Sequence, residues 1–462
     1  MQLLWLLALL CARHGTGDVT DVTDHLKSPI WYVQFEFEQL NMTMQQSRNV
    51  SFTITDIESS WGPDFELHVL NENDEVIYID HVNMISSLVE GKTLLKGNFT
   101  ANAIFLGYTS VHMELQKNSH EPQISQQLMK IIVTRPMNLI DIIFNVCIAS
   151  FVIIIYVNFG AVLDLADLKA IVIRPVGPAI GLFCQFGVMP VLSFLIGYFL
   201  FREMIELRLG LFFLGVSPAG GASNMFAVLL DGNLSLSITM TTISNLAAFV
   251  MMPLWIFTLG ALIFRDGNFA IPYNTIAVIS FTLVVPIAVG LMLQKYAPEV
   301  TSRISKLLKP ISLLLILSII IFGCIINSFI FKLLSIEILI GSCVLPWLGY
   351  IIGWLLATLL GQPAKDAITI SIETGILNVG IPMFMLNFTL PQPQADMTSV
   401  VPIANALLTP LPLLLIYFLK LCFWRKNGKS VEENSISKEV KESEGMSIME
   451  KGAEKENDKY AQ

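Results

Sequence analysis

The sequence predicts an all-α polytopic membrane bundle of about nine spans, preceded by a β-sandwich-like domain. Three observations support this. Of the 462 residues, 54% are hydrophobic and only 14% are charged, whereas an average soluble protein has about 25% charged residues. Several apolar stretches reach the roughly 20 residues that a helix needs to cross a bilayer core. Residues 18–136 instead alternate apolar and polar side chains, which is typical of strands.

The chain begins with a short apolar run at residues 2–12, followed by the small residues Gly15, Thr16 and Gly17. We predict a signal peptide at residues 1–17, because the run is too short to span a membrane. The positively charged start of most signal peptides is missing here. A leader helix that stays in the membrane is therefore the alternative.

Residues 18–136 form the predicted extracellular β-rich domain. Period-two alternation marks strands at residues 31–38, 51–55, 65–70, 75–79 and 110–115, separated by Asn, Gly and Pro clusters. The region contains no cysteine, so we expect it to fold without disulfides. Asn41, Asn49 and Asn98 each begin an Asn-x-Ser/Thr sequon, which predicts N-glycosylation and therefore a lumenal or extracellular location.

Residues 137–424 form the predicted transmembrane domain, and residues 425–462, rich in Glu, Lys and Ser, are predicted to be a disordered cytoplasmic tail. Nine apolar stretches are candidate spans. Their approximate limits are 137–160, 174–200, 208–230, 234–264, 273–293, 310–331, 337–361, 366–388 and 397–421.

The basic residues between the spans predict the orientation. Cytoplasmic loops carry an excess of Lys and Arg, and with the amino-terminal domain outside, the richer loops and the start of the tail lie inside. We therefore predict a multi-pass protein of the plasma membrane with an extracellular amino-terminal domain and a cytoplasmic carboxyl terminus. The inner loops then carry Lys169, Lys295, Arg303, Lys306, Lys309 and Lys365, and the outer loops carry Arg202, Arg208, Arg265 and Lys332.

Several function classes are disfavoured by composition. All six histidines precede the membrane region, and there is no HExxH, CxxC or Cys/His cluster, so a metalloprotease or zinc centre is not predicted. Asp141, Asp231 and Asp366 lie near span ends, which makes an intramembrane aspartyl dyad a poor hypothesis. No basic stripe indicates nucleic acid. We expect neither an enzyme nor an organic cofactor, and the sequence does not predict the oligomeric state.

Two predicted spans, the third and the eighth, are interrupted in the same way. The third contains Gly215-Val-Ser-Pro-Ala-Gly-Gly-Ala-Ser-Asn224, and the eighth contains Glu373-Thr-Gly-Ile-Leu-Asn-Val-Gly-Ile-Pro382. Gly and Pro in mid-span weaken the helical hydrogen-bond ladder and free backbone carbonyls. Paired interrupted helices in the two halves of a chain indicate a transporter site. The alternative is a pair of kinks that allow close helix packing.

Glu373 is the most informative single residue, because it is the one acidic residue clearly placed in the middle of a predicted span. A charged side chain at that depth costs at least roughly 2.5 kcal/mol unless it is compensated. A bound cation is the simplest compensation. Protonation, or pairing with a distant Lys or Arg, are the alternatives.

Oxygen-bearing side chains that suit sodium lie near both breaks, since hard cations prefer oxygen ligands. Ser223 and Asn224 follow the first break, and Ser237 and Thr241 share one face of the next span. Gln185 in the second span offers another oxygen. For the hydroxyls, a bond to the carbonyl four residues earlier is the alternative, and for Gln185 it is a packing role.

These motifs resemble those of the sodium/bile acid cotransporter family, solute carrier family ten. The family pattern Ser-Pro-Gly-Gly-Asn-Leu-Ser-Asn corresponds to Ser217-Pro-Ala-Gly-Gly-Ala-Ser-Asn224, and Glu-Thr-Gly-x-Gln-Asn corresponds to Glu373-Thr-Gly-Ile-Leu-Asn378. The resemblance covers about residues 137–422 and is strongest to the orphan branch with a long amino-terminal ectodomain. It implies core and panel domains, inverted repeats and alternating access.

The resemblance also implies which residues bind ligands. The first implied sodium site is Ser223, Asn224, Ser237, Thr241 and Glu373. The second uses Gln185 and Glu373 with carbonyls around Thr374 and Ile376. The organic anion is expected near the crossing of the broken helices, at Ser217, Gly220, Gly221 and Asn378. No metal other than sodium is implied.

Two residues depart from the family pattern. Leu377 stands where the family has a Gln ligand for the second sodium, and Gly221 stands where it has Asn. The function predicted first is a symporter that moves small amphipathic organic anions, such as bile acids or steroid sulfates, with sodium across a lipid membrane. The second hypothesis is a non-transporting receptor or adaptor with a ligand-binding ectodomain.

Overall fold

The computed structural model describes residues 31–57, 65–89, 92–117, 120–136, 138–162, 175–202, 204–267, 272–282, 284–299, 301, 321 and 335–422. The predicted signal peptide and tail lie outside these residues, as does the predicted sixth span at 310–331 apart from residue 321. The described residues form two compact units: the first is the part up to Asn138 together with Gln392–Gln394, and the second is Leu139–Pro391 together with the part from Ala395 onward. Each unit is described by itself.

The first unit is built of β-strands arranged in two sheets. One sheet has the order β1-β3-β6-β5, and the other has the order β2-β9-β7-β4 with β8 paired to β7. The predicted β-rich region is therefore confirmed. The strands are β1 (Tyr32–Phe35), β2 (Gln39–Thr43), β3 (Ser47–Ile57), β4 (Glu66–Asn71), β5 (Ile77–Val89), β6 (Lys92–Ala103), β7 (Gly107–Lys117), β8 (His120–Ile124) and β9 (Met129–Thr134).

The two sheets share one hydrophobic core. Alternate residues of β3, such as Val50 and Phe52, are buried together with Phe99 of β6 and Val111 and Met113 of β7. This alternation is expected for strands that bury one face. The run at residues 31–38, predicted as one strand, contains only β1, which ends at Phe35; residues 36–38 form a bend. The strand β1 pairs with β3 in one sheet, whereas β2, which follows the run, pairs in parallel with β9 in the other.

The second unit is helical. Two of its helices are followed directly by a single π-helical turn, at Cys184–Val188 and at Ile256–Gly260. Its α-helices are α1 (Leu139–Val162), α2 (Val176–Phe183), α3 (Met189–Leu200), α4 (Ile205–Gly215), α5 (Ala222–Leu229), α6 (Leu234–Trp255), α7 (Ala261–Asp266), α8 (Tyr273–Thr282), α9 (Val284–Tyr296), α10 (Ile336–Leu359), α11 (Ala364–Gly375), α12 (Gly380–Thr389) and α13 (Gln394–Leu408); residues 411–422 are also helical.

Six helical segments within the described residues are long and apolar enough to cross a membrane. They correspond to six of the predicted spans. The interrupted third and eighth predicted spans correspond to the pairs α4/α5 and α11/α12. The total of nine spans stays a prediction. The six segments are Asp141–Ala161, Val176–Leu200, Leu234–Asp266, Tyr273–Tyr296, Ile336–Leu359 and Gln394–Cys422.

Helices α1 and α9 cross at two glycines. A Cβ added to Gly160 would lie 2.2 Å from the carbonyl oxygen of Ile287, and one added to Gly290 would lie 2.2 Å from that of Val157. Backbone atoms cannot move aside as a flexible side chain can. Glycine at these two positions therefore permits the close approach of the helices, as small residues do in membrane bundles.

The predicted glycosylation can be tested on the three sequons of the β unit. Asn41 and Asn49 are exposed, whereas Asn98 is half-buried and pairs across the ladder with Asn83. We expect N41Q and N49Q each to remove one glycosidase-sensitive step in gel mobility of the full chain expressed in cells, and N98Q to have a smaller effect because its amide is less accessible. Unchanged mobility in all three variants would contradict the extracellular prediction.

Candidate functional site

The two interrupted segments meet and pair through their backbones. Ala219 and Leu377 form an isolated antiparallel bridge. The N–H of Gly220 donates to the Ile376 carbonyl at 2.8 Å, and the N–H of Asn378 donates to the Pro218 carbonyl at 2.9 Å. Each break therefore satisfies backbone groups that the other leaves without a helical partner. This matters in an apolar bundle, because an unpaired peptide group there costs several kcal/mol.

Side chains of neighbouring helices hold the first break in place. The Gln185 amide donates to the Ser217 carbonyl at 2.6 Å, and the Ser244 hydroxyl accepts from the Ala219 N–H at 2.8 Å. Gln185 is only 2% exposed, so its amide needs internal partners. The nitrogen of this amide thus has a structural role, and ion binding by its oxygen stays a prediction.

The π-turn that carries Gln185 is anchored by a second contact. Pro190 has no N–H with which to bond the Phe186 carbonyl, and the indole N–H of Trp255 donates to that carbonyl at 2.8 Å. The turn therefore joins the second predicted span to the end of α6. This contact fixes the part of the backbone from which Gln185 reaches the first break.

Asn378 ends the second break by capping α12. Its side-chain oxygen accepts from the N–H groups of Gly380 at 3.0 Å and Ile381 at 3.3 Å. Such a bond satisfies amide groups that lack partners at the start of a helix. Asn378, predicted to contact the organic anion, is half-buried at the crossing, whereas Ser217 and Gly220 are buried there.

Glu373 lies in the last turn of α11 and is 1% exposed. Its Oε1 accepts from the hydroxyl of Ser223 at 2.7 Å and from that of Ser237, which makes the closest contact of the group. The Thr241 hydroxyl lies 2.9 Å from Oε2 and 3.1 Å from Oε1. The structure therefore brings together Glu373 and three of the four other side chains that the sequence singled out for the first sodium site, and the remaining one, Asn224, contacts Ser237.

The cluster has more acceptors than hydrogens. The Ser223 hydroxyl lies 2.7 Å from both the Gly220 carbonyl and Glu373, yet it has one hydrogen to donate. The Ser237 hydroxyl likewise contacts both Glu373 and the Asn224 side-chain oxygen, which is 2.9 Å away. Among the described residues, no basic side chain pairs with the carboxylate. Such an oxygen-rich, hydrogen-poor group suits a hard cation.

The predicted second sodium site is less complete. Gln185 and Glu373 do line a common small cavity. However, the Ile376 carbonyl accepts from Gly220, and the Thr374 hydroxyl donates to its own helix, to the Ile370 carbonyl at 2.7 Å. The other residues that line the cavity are Pro178, Gly181, Leu182, Ala219, Met240 and Ser244.

Sequence reasoning did not single out Ser244, although a signal for it exists. Ser237, Thr241 and Ser244 follow an i, i+4, i+7 spacing, which places them on one face of a helix. Ser237 and Thr241 contact the carboxylate, and Ser244 contacts the first break. One polar face of α6 therefore serves both parts of the site.

Helices broken in pairs around a buried, oxygen-rich acidic group define the class: this arrangement is typical of secondary transporters. The comparisons with known proteins agree. Residues 149–333 match the model of the Sodium Bile acid symporter family. The chain belongs to that family.

Three relatives show the extent of the similarity. The sodium-dependent organic anion transporter of Rattus norvegicus is 29% identical over 320 residues, which are 68% of this chain and 86% of the relative. The same protein of Bos taurus is 31% identical over 255 residues, 55% of this chain and 67% of the relative. The P3 protein of Homo sapiens is 32% identical over 257 residues, which are 55% of this chain and 54% of that protein.

Adjacent glycines in the first break provide a matched test of the crossing. A Cβ at Gly220 would lie 2.7 Å from the Leu377 carbonyl oxygen, whereas one at Gly221 has nothing within 4 Å. We expect G220A to destabilise the full chain by about 1–3 kcal/mol, as overpacking does, and G221A to melt like the wild type. Thermal unfolding in detergent measures both. Equal melting temperatures for the two variants would contradict the observed pairing of the breaks.

Proposed function

We propose that the protein is a sodium-coupled symporter of small amphipathic organic anions, such as bile acids or sulfated steroids, and works by alternating access. The observation that carries this proposal is the buried Glu373 carboxylate, which contacts hydroxyl groups of α5 and α6 and has no basic partner among the described residues. Family membership supports the same assignment. We further propose the plasma membrane as the location.

In this proposal, the first sodium is held by the side chains around Glu373. Ser223 belongs to α5 just after the first break, whereas Glu373 belongs to α11 just before the second. A cation between them offsets the cost of the buried charge and favours the arrangement in which both breaks are close. Sodium binding would thereby bias one conformation over another, which is what coupling to a second solute requires. The proposed ligands are Ser223, Asn224, Ser237, Thr241 and Glu373.

The organic anion is proposed to bind at the crossing, near Ser217, Gly220, Gly221 and Asn378. Helices α5 and α12 begin immediately after the breaks, and a helix start carries a partial positive charge that favours anions. Gly221 is exposed and has open space around it. An amphipathic anion would place its charged group at these helix starts and its apolar body along the neighbouring side chains.

The second sodium site is proposed to be weaker than the first. Leu377 is buried in the bridge between the breaks and has no side-chain oxygen. The Ile376 carbonyl is already bonded to Gly220, which leaves fewer free ligands around Gln185 and Thr374. A single strong site predicts uptake that rises with sodium concentration without cooperativity.

The receptor hypothesis has two observations in its favour, namely Leu377 and the separate β unit. It gives no reason for the hydroxyls of Ser223, Ser237 and Thr241 to converge on Glu373. A protein without ion coupling would be more stable with an apolar residue there, because replacing a buried charge by a packed apolar group is often stabilising. The complete oxygen cluster therefore favours the transporter.

A carboxylate-to-amide pair of variants tests the proposal. We expect cells expressing the chain to take up labelled taurocholate or a sulfated steroid faster in sodium than in choline buffer. E373Q should reduce this uptake to background, because an amide removes the charge that the cation needs. E337Q, the same change at an exposed carboxylate at the start of α10, should leave uptake unchanged. Surface biotinylation controls for expression.

The opposite results are equally informative. Sodium-dependent uptake that survives in E373Q would remove Glu373 from the coupling site. Background uptake of both anions in both buffers, with normal surface expression of the wild type, would favour the receptor hypothesis over the symporter.

A further inference from the structure

The two helices that supply most of the oxygen cluster are also joined at their first turns. The side-chain amide of Asn233 donates to Oδ1 of Asp366 at 2.8 Å. The side-chain oxygen of Asn233 accepts from the N–H of Leu236 at 3.2 Å and so caps α6. The nitrogen of this side chain therefore joins two helices, whereas the oxygen begins one of them.

Thr369 strengthens the same junction. Its hydroxyl accepts from the backbone N–H of Asn233 at 2.7 Å and donates to the Lys365 carbonyl at 2.9 Å. Thr369 is fully buried, and a Cβ on Gly232 would lie 2.7 Å from its hydroxyl. The start of α6 thus packs directly against the side of α11.

The junction has a fixed register with the oxygen cluster. Asn233 precedes Ser237 by four residues, and Thr369 precedes Glu373 by four. Asn233 contacts Thr369, and Ser237 contacts Glu373. Helices α6 and α11 therefore run in the same direction here, and the junction lies about 6 Å, or roughly one helical turn, from the cluster. A change in helix spacing at the junction is therefore transmitted directly to the contacts between Ser237 and Glu373.

We propose that Asn233 and Asp366 are positioning residues for sodium, which set the distance between α6 and α11 at the cluster. The inference rests on the proposed function, since it assumes that sodium binds at Glu373. Neither residue touches the carboxylate of Glu373 in the described hydrogen bonds. Their effect on sodium therefore passes through the spacing of the two helices.

The chemistry of the pair offers a test in which the helix cap is retained. N233D keeps the oxygen that caps α6, and a carboxylate is favourable at a helix start, but it turns the contact with Asp366 into a repulsion. D366N keeps an acceptor for the Asn233 amide. N233D/D366N reverses the pair, so that an amide at 366 donates to a carboxylate at 233.

The measurement is the melting temperature of the purified full chain in detergent, with sodium varied against choline at constant ionic strength. A ligand that binds only the folded state stabilises it by RT ln(1 + [L]/Kd) and so raises the melting temperature. We expect N233D to need about fivefold more sodium than the wild type for the same rise in melting temperature, as for contacting residues that couple moderately. D366N and N233D/D366N should stay within about twofold of the wild type.

Any other outcome contradicts a specific part of the proposal. Wild-type sodium dependence in N233D, or a double variant as weak as N233D, overturns the positioning role. If N233D does not fold, N233S decides: it keeps a capping oxygen, and a sodium requirement equal to that of the wild type overturns the proposal. If sodium does not raise the melting temperature of the wild type, the proposed sodium site itself is overturned. That result differs from one in which sodium stabilises the wild type and N233D equally, which overturns only the positioning role.

Discussion

The helical unit depends on compensating one buried carboxylate. Glu373 is almost fully enclosed, and an ionised carboxylate in such surroundings is stable only where other groups replace water. The chain provides Ser223, Ser237 and Thr241 for this purpose, from two consecutive helices that lie 132–150 positions before Glu373. The positions of α5, α6 and α11 relative to one another follow from this requirement. The same requirement keeps oxygen atoms at a site that apolar side chains would otherwise fill.

The broken helices are the backbone counterpart of the same requirement. A continuous helix uses its peptide groups internally and has none for a ligand, whereas a break frees them. Here the freed groups of Gly220 and Asn378 bond across to the other break, and Gln185 and Ser244 engage two more. The bundle therefore accommodates irregular backbone in its interior because these freed peptide groups at the crossing have hydrogen-bond partners.

The sequence predicted the parts of this arrangement that leave a local chemical signal. Gly and Pro within apolar runs located both breaks, and an acidic residue in mid-span located Glu373. Contacts that arise only from folding were not predicted. The junction of Asn233 with Asp366 joins residues 133 positions apart, and nothing in either local sequence refers to the other.

The β unit shows the same limit. Alternation predicted β3, β4 and β7, but β6 contains the adjacent residues Leu94 and Leu95 and then Gly97, which interrupt the pattern, and β9 pairs in parallel with the distant β2. The strand predicted at residues 31–38 ends at Phe35, because alternation continues into the bend between β1 and β2. Alternation reports which side chains are buried, but the choice of sheet depends on partners elsewhere in the chain.

The bridge between the breaks has a consequence for how the sequence of such a protein can evolve. The crossing is held by peptide groups, which every residue type other than proline provides in full. Apart from Gly220, where a backbone oxygen lies too close for a Cβ, the bridge does not prescribe the side chains beside it. Leu377 can therefore stand where the family resemblance implies an ion ligand, while the architecture persists. Under the proposed symport, the number of ions coupled to each substrate can then change separately from the ability to fold.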